Sequence, residues 1–285
     1  MIHQINFNGQ DKVDIAIERL KSFEPEEGYY LCFSGGKDSV VIKALADMAG
    51  VKYDAHYNNT GIDPPELVRF IKDYHKDVAF EISLNKEGKR ITMWNLIPRK
   101  KMPPTRLVRY CCQELKEHGG EGRFVITGVR WAESSRRKNS RHMAEEHSKS
   151  GKQVMSTDNT EEAPMFKFCH TYHKRILNPI IDWTDDEVWE FIKEYEVPYC
   201  KLYDQGFKRL GCIGCPMSTR QKQELDAYPK YKALYIRAFD ELLEVRREAE
   251  LVTDWETGEE VLAWWLGEQR EAEATQIMEL VDADV

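Results

Sequence analysis

The stretch SGGKDS at residues 34–39 has the composition of a phosphate-binding turn between a strand and a helix. Paired glycines let backbone N–H groups crowd an anion, and the dipole of the following helix favours negative charge. Lys37 adds a positive charge, whereas Asp38 suits a bound metal or a helix cap. The spacing is not that of the G-x-x-x-x-G-K-[ST] loop. The turn consists of Ser34, Gly35, Gly36, Lys37, Asp38 and Ser39.

Four of the seven cysteines form two close pairs, Cys111 with Cys112 and Cys212 with Cys215. Four thiolates suit a [4Fe–4S] cluster or a structural zinc ion. Adjacent cysteines are unusual for zinc, whose ligand pairs normally have two to four residues between them. Four unliganded thiols are the third alternative.

Cys169 lies in the polar run FKFCHTYHKR, between histidines and basic residues that would lower the pKa of its thiol. One hypothesis is that Cys169 carries sulfur as a nucleophile, and the other is that its role is structural.

The charge of the chain is unevenly distributed about a net value of −8. Residues 99–141 hold twelve Lys and Arg against four Asp and Glu, whereas residues 240–285 hold fifteen acids against three Arg. The basic stretch predicts an anion-binding face, and the acidic one a solvated helical surface. No apolar run is long enough to span a membrane, and the first residues lack the order of a signal peptide. We therefore expect a cytoplasmic protein without a membrane partner.

Strand-like and helix-like patterns alternate along the first half of the chain, which indicates βαβ units and a parallel sheet. A polar, aperiodic stretch at residues 131–175 predicts a long loop that is functional or disordered. We predict a nucleotide-binding α/β domain over residues 1–217, which includes the loop and the cysteines, and a helical extension over 218–285. Strands are predicted at 29–33, 51–58, 78–82 and 123–129, and helices at 11–23, 38–50, 64–75, 184–196 and 228–250.

The turn and several later stretches together resemble the phosphoadenosine phosphosulfate (PAPS) reductase family, in the iron–sulfur branch of the N-type ATP pyrophosphatases. The resemblance covers about residues 28–220. It implies an adenine-nucleotide α-hydrolase-like, Rossmann-like fold, with a mostly parallel sheet, helices on both faces, and the ligand at the carboxyl ends of the strands. The later stretches are NNTGIDPPE (58–66), YCCQELK (110–116), ITGVRWAESSRR (126–137), NPIIDWTDDEVWEFI (178–192) and LYDQGFKRLGCIGCP (202–216).

The same resemblance implies site residues and cofactors. The cofactors are ATP, Mg²⁺ and a [4Fe–4S] cluster, which would be held by Cys111, Cys112, Cys212 and Cys215 with Lys116 beside it. Catalytic roles would belong to Lys37, Asp38, Arg130 and Arg136. The nucleotide would be bound by Ser34, Gly35, Gly36, Lys37, Asp38, Ser39, Thr60, Gly61, Gly128 and Arg130.

Three functions fit these features. Sulfonucleotide reductases carry a nucleophilic cysteine near the C-terminus, and this sequence has no cysteine after Cys215. The first hypothesis is therefore an ATP α,β-pyrophosphatase that adenylylates a substrate for sulfur transfer, similar to tRNA thiolases and to the ATP-pyrophosphatase component of DNA phosphorothioation systems. The alternative is an adenylyl-sulfate or phosphoadenylyl-sulfate reductase, and the third is a nucleotide-binding redox sensor.

The expected partners differ between these hypotheses. A nucleotide, either ATP or an adenosine phosphosulfate, is expected in all three, and a cysteine desulfurase only in the first. DNA would suit the basic runs RKKMPPTRLVRY and RRKNSR. The alternative is that these charges serve only the nucleotide and the cluster.

Overall fold

Ten helices and six strands are assigned in the computed structural model, which describes residues 1–6, 8–117, 119–147 and 174–268. The strands are β1 (Tyr29–Cys32), β2 (Tyr53–Asn58), β3 (Ala79–Glu81), β4 (Phe124–Ile126), β5 (Ala144–His147) and β6 (Lys174–Leu177). The helices are α1 (Lys12–Ser22), α2 (Lys37–Ala49), α3 (Pro65–Tyr74), α4 (Met93–Lys100), α5 (Tyr110–Leu115), α6 (Ser135–Ser140), α7 (Asp185–Glu194), α8 (Gln221–Ala227), α9 (Pro229–Glu248) and α10 (Gly258–Leu266).

The described residues divide into two compact units that are interleaved along the chain. The first unit comprises residues 1–58, 65–81 and 118–210, and it contains the sheet. The second comprises residues 59–64, 82–117 and 211–285, and its described elements are helices. The predicted boundary after residue 217 stays a prediction.

The sheet of the first unit has the strand order β3-β2-β1-β4-β6-β5, in which only the β5–β6 pair is antiparallel. The predicted α/β fold with a mostly parallel sheet is therefore confirmed. The order reverses beside β1, because the chain adds β2 and β3 on one side of it and β4 and β6 on the other. Such a switch point opens a crevice at the carboxyl ends of the strands.

The strands alternate their side chains between the two faces of the sheet. Tyr29 and Leu31 join the large core of the first unit, to which α1, α2, α3 and α7 also contribute buried apolar residues. Tyr30 points to the opposite face, where it forms a small cluster with Val125 and Ile176. The large core anchors both the strands and the helix starts that follow them.

The five predicted helices and four predicted strands are confirmed, with ends that shift by a few residues. The capping box at the start of α7 is also confirmed, since the Thr184 side chain accepts from the Glu187 N–H and the Glu187 carboxylate accepts from the Thr184 N–H.

The prediction of a long irregular loop was wrong for residues 131–147. They form a 3₁₀ turn (Trp131–Glu133), α6 and β5. The strand β5 was missed because its alternation is short and polar, and it is defined by pairing with β6. Residues 148–173 of the predicted loop lie outside the described residues.

Within the described part of the chain, no helix is long and apolar enough to cross a membrane.

Candidate functional site

The SGGKDS turn connects β1 to α2, at the switch point of the sheet. Gly36 is the residue before the first turn of α2, and Gly35 has a φ of +73°. A Cβ on Gly35 would lie 2.8 Å from side-chain atoms of Ile71 and Leu67. Glycine is therefore required there both by the backbone conformation and by the approach of α3.

The two serines of the turn bond to each other and to its backbone. Ser39 is buried, and its hydroxyl donates to the Gly36 carbonyl at 2.8 Å. Ser34 is exposed, donates to the Ser39 hydroxyl at 3.3 Å and accepts from the Gly36 N–H at 3.4 Å. These bonds hold the turn in a fixed shape around the start of α2.

Arg130 follows β4, the strand that pairs directly with β1, and its side chain is only 1% exposed. Its Nε donates to Asp38 Oδ1 at 2.7 Å and its Nη2 to Asp185 Oδ1 at 2.5 Å. Its Nη1 donates to the Trp183 carbonyl at 3.1 Å. A buried guanidinium needs such partners, because an unpaired buried charge is strongly destabilising. Arg130 therefore ties together the segments that follow β1 and β6.

Lys37 completes a cluster of four charges, which we call the loop quartet: Lys37, Asp38, Arg130 and Asp185. The Lys37 ammonium is buried and lies 3.1 Å from both Asp38 Oδ2 and Asp185 Oδ1. Burial raises the pKa of Asp185, but the Arg130 hydrogen bond and the Lys37 charge outweigh it and leave that pKa below its usual range. Two cations and two carboxylates leave the quartet with no net charge.

Gly128 packs against the quartet from the segment after β4. A Cβ at this position would lie 3.0 Å from the Asp38 Cβ and 3.1 Å from its backbone carbon. This segment can approach α2 closely because glycine has no side chain.

A further arginine, Arg137, interacts electrostatically with Asp38 and Arg130 of the quartet. Burial and the charges of Arg209 and Arg141 lower the pKa of Arg137, whereas the charge of Asp38 raises it. Arg137 also pairs with Glu133. Because these guanidinium groups repel one another, an anion beside them would relieve the repulsion. The backbone of Arg136 lies in α6, and its side chain lies outside the described residues.

Tyr203 also reaches the turn, from the segment after α7. Its hydroxyl oxygen accepts the backbone N–H of Lys37 at 2.9 Å. Sequence reasoning missed Tyr203 and Asp185 as site residues. Asp185 could have been found from its place directly after the capping Thr184, at a helix start that follows a strand.

The cysteine pairs lie in the second unit, and we call Cys111, Cys112, Cys212 and Cys215 the thiol group. All four are free of disulfides and partly buried. A hydrogen bond between Cys111 and Cys112 raises the pKa of the first thiol and lowers that of the second. Burial raises the pKa of Cys212 to about 12. The charges of Cys212 and Cys215 also act on Cys111, so the four sulfurs share one electrostatic environment.

The turn that carries Cys212 and Cys215 is fixed at its middle. Ile213 is buried, its N–H donates to the Ile62 carbonyl at 2.8 Å, and its carbonyl accepts from the Tyr235 hydroxyl at 3.0 Å. Gly214 has a φ of +69°, and a Cβ there would lie 3.0 Å from Leu225. This packing sets the positions of the two flanking cysteines.

Lys116, Thr60 and Gly61 also belong to the second unit. Lys116 is an exposed residue, but its ammonium group donates a hydrogen bond to Cys212. Burial lowers the pKa of Lys116. The charges of Cys212 and Asp63 outweigh burial, so the pKa of Lys116 is raised. The Thr60 hydroxyl donates to Asp63 Oδ2 at 2.8 Å and lies 4.0 Å from Cys212 Sγ. The assignment of Thr60 and Gly61 to nucleotide binding stays a prediction, and Cys169 lies outside the described residues.

The thiol group fits a [4Fe–4S] cluster by its chemistry, because four thiolates are the usual ligand set. Among the described residues, no group of three or more His, Cys, Asp or Glu side chains has the geometry to hold a metal ion. The cluster is therefore part of the proposed function.

Comparisons with known proteins agree with the motifs. The phosphoadenosine phosphosulfate reductase domain matches residues 28–218. An adenosine 5'-phosphosulfate reductase of Bacillus subtilis is 25% identical over 226 residues, which are 73% of this chain and 80% of the relative. An uncharacterized protein of Methanocaldococcus jannaschii is 28% identical over 220 residues, 75% of this chain. The chain spans less than half of that archaeal protein, 46% of its length.

Among solved structures, the phosphoadenylyl-sulfate reductase of Candida auris in a phosphate complex is 16% identical, with a TM-score of 0.42. The match covers 69% of this chain and 87% of that one.

Proposed function

Because the chain belongs to the phosphoadenosine phosphosulfate reductase domain family, we propose that it is an ATP α,β-pyrophosphatase that adenylylates a substrate for sulfur transfer. The observation that carries the proposal is the loop quartet, which joins the ends of three neighbouring parallel strands around the SGGKDS turn. Family members act on phosphate-linked adenosine, and a phosphate chain is the ligand that such a turn accepts.

In the proposed reaction, an oxygen of the acceptor attacks the α-phosphorus of ATP. The bond between the α-phosphorus and the bridging oxygen breaks, and pyrophosphate leaves with the electron pair. A sulfur nucleophile then displaces AMP from the acceptor. The turn would hold the pyrophosphate part of ATP through its N–H groups and the Lys37 ammonium.

Arg130 is a positioning residue in this proposal, because it is buried and bonded to Asp38, Asp185 and Trp183. Since the quartet is neutral, it does not by itself balance the charge of a triphosphate. The nearby arginines and a Mg²⁺ ion carried by ATP would supply that balance. Arg136 stays a candidate for the same role.

The thiol group would hold a [4Fe–4S] cluster, with Lys116 beside it. If one of the four cysteines released its iron, the bound cluster would supply a coordination site for sulfide. A cysteine desulfurase would supply the sulfur as a persulfide, and a thiol reductant would release it as sulfide. DNA is the proposed acceptor, since basic residues lie in both units. Zinc is the alternative occupant of the four thiols.

A reductase of adenylyl sulfate or phosphoadenylyl sulfate is the second candidate. The family match and the Bacillus subtilis relative favour it. In that case the turn would hold a nucleotide that already carries sulfate. A dithiol reductant would supply two electrons, and sulfite and the desulfated nucleotide would be the products.

The test is to incubate the anaerobically purified full chain with a dithiol reductant and with ATP, adenylyl sulfate or phosphoadenylyl sulfate. Each incubation is repeated with duplex DNA and a cysteine desulfurase, and AMP, pyrophosphate and sulfite are measured. We expect AMP and pyrophosphate from ATP. Sulfite from either sulfated nucleotide would instead assign the reductase activity, and ATP binding without any product would indicate a sensor.

Lys37→Ala and Lys43→Ala form a matched pair for this assay, because both lysines lie on α2. The Lys43 ammonium pairs with Asp47 and Asp77, away from the quartet. Lys37→Ala removes a charged hydrogen-bond donor, and such a hydrogen bond contributes roughly 1.5–3 kcal/mol. We therefore expect Lys37→Ala to release pyrophosphate at least about tenfold more slowly. Lys43→Ala should keep the activity, and equal losses in both variants would contradict the site.

A further inference from the structure

Tyr203 occupies a position that the proposed function does not use. The first four N–H groups of a helix have no partner within the helix, and they are what makes a helix start attractive to anions. In α2, the Lys37 N–H is one of these groups, and it donates to the Tyr203 hydroxyl at 2.9 Å. A Cβ on Gly36 would lie 3.4 Å from the same hydroxyl. The hydroxyl therefore lies against the turn that would hold the phosphates.

The Tyr203 ring is held in place by its neighbours. It packs edge-on against Trp189, with ring centroids 5.0 Å apart and an interplanar angle of 83°. The residue before it, Leu202, is buried in the large core, and the Tyr203 N–H donates to the Cys200 carbonyl at 3.2 Å. Because Trp189 contacts the ring and the backbone is hydrogen-bonded, the hydroxyl has a defined position.

The chemistry of the hydroxyl follows from this position. Burial raises the pKa of Tyr203, so the group keeps its proton at neutral pH. Its oxygen accepts from Lys37, which leaves the O–H as a donor. A hydroxyl that accepts one hydrogen bond becomes a stronger donor for the next, because the bonds polarise one another. The hydroxyl can thus donate a hydrogen bond to an anion that lies beyond the start of the helix.

We propose that Tyr203 binds the phosphate chain of the nucleotide directly, by donating its O–H to a phosphate oxygen while its own oxygen accepts the Lys37 N–H. Tyr203 would then be a phosphate-binding residue of the turn, supplied by the segment after α7. The proposal rests on the assignment of the turn to phosphate, but it does not depend on which nucleotide is cleaved.

The chain offers a matched control in Tyr199. Its ring packs edge-on against the same Trp189, with centroids 5.3 Å apart, but its hydroxyl donates to Asp204 at 3.0 Å. The substitutions Tyr203→Phe and Tyr199→Phe each remove one hydroxyl and keep the ring. Only the first removes a group that contacts the turn.

The experiment measures binding of inorganic pyrophosphate, ATP and adenosine to the full chain by calorimetry. A lost hydrogen bond to a charged acceptor predicts a Kd for pyrophosphate and ATP about tenfold higher or more in Tyr203→Phe. The affinity for adenosine, which has no phosphate, should not change. Tyr199→Phe should bind all three probes as the unsubstituted chain does.

Two results would overturn the proposal. Unchanged or tighter binding of pyrophosphate by Tyr203→Phe would mean that the hydroxyl is a spacer or a competitor for the Lys37 N–H. If the unsubstituted chain bound neither pyrophosphate nor ATP, the assignment of the turn to phosphate binding would be wrong. If pyrophosphate binding weakens as expected but ATP releases no AMP, the proposed function fails and the role of Tyr203 stands.

Discussion

The loop quartet of the first unit and the thiol group of the second both gather ionisable side chains, but they balance charge in different ways. In the quartet, Lys37 and Arg130 offset Asp38 and Asp185 through direct contacts. In the thiol group, the Lys116 ammonium hydrogen-bonds one of the cysteines, Cys212. Four thiolates with one ammonium would carry a large negative excess, whereas the quartet carries none.

The two clusters therefore differ in whether their charges are balanced before a ligand binds. The quartet is stable as a set of ion pairs, so the turn and Arg130 can be in place before a nucleotide binds. The Cys112 hydrogen bond and burial raise the pKa of Cys111, and burial raises that of Cys212, so these two thiols lose their protons only when a metal binds. The pKa of Cys112, in contrast, is lowered. We therefore expect substitutions in the quartet to change nucleotide chemistry, and substitutions in the thiol group to change metal content.

The largest expected effect is the loss of iron in Cys212→Ser. After anaerobic reconstitution, the unsubstituted chain should hold about four iron and four sulfide per chain. Cys212→Ser should hold less than about a tenth of that, by metal analysis and visible absorbance, and should still bind pyrophosphate. Cys32→Ser is the control, because Cys32 lies on β1 in the first unit. Full iron in Cys212→Ser, or zinc in place of iron, would contradict the cluster.

The next effect is on turnover in Arg130→Met. Removing the guanidinium leaves Asp38 and Asp185 without their main partner, so the turn loses its alignment. Because misplaced reacting groups slow catalysis, we expect a rate of AMP release about 100-fold lower. Loss of the charged hydrogen bonds of Arg130 should lower the free energy of unfolding by about 1.5–3 kcal/mol in urea titrations.

Arg130→Lys separates charge from geometry at this position. It keeps the positive charge but loses the fork of donors that reaches Asp38, Asp185 and the Trp183 carbonyl. We expect a smaller loss of turnover than in Arg130→Met, and iron content equal to that of the unsubstituted chain in both variants. An Arg130→Met chain with unchanged turnover would show that the quartet does not position the reaction.

The smallest expected effect is the contribution of Asp185 to the pH dependence of the free energy of unfolding. Its pKa lies below the usual value of about 3.9, so its contribution to stability is present above that value and is lost as the pH falls through the lowered pKa. The Asp185 side chain is 68% exposed, so the contribution should be below about 1 kcal/mol. Urea titrations between pH 7 and pH 3 should show less acid destabilisation in Asp185→Asn. If Asp185→Asn and the unsubstituted chain lost equal free energies of unfolding at low pH, other carboxylates would cause the acid destabilisation.

The strand–turn–helix pattern around SGGKDS determined much of the fold before any contact was known. Apolar strands, helical periodicity and capping signals act locally, which is why the ends of α1, α2, α3, α7 and α9 were found within a few residues. The short strand β5 was missed, because its sequence has no apolar alternation and its conformation depends on pairing with β6. Such pairing is a tertiary property.

The sequence alone marked the glycine pair, Lys37, Asp38 and the four cysteines as candidates, and its family resemblance added Arg130; their roles stay predictions. The sequence could mark them because phosphate and metal sites need particular residue types at short spacings. Which of these groups contact one another depends on the tertiary structure. It joined Arg130 to Asp185 across neighbouring strands and brought the Tyr203 hydroxyl to the Lys37 N–H. These contacts link residues 55 and 166 positions apart, and no local pattern encodes which side chain lies opposite another.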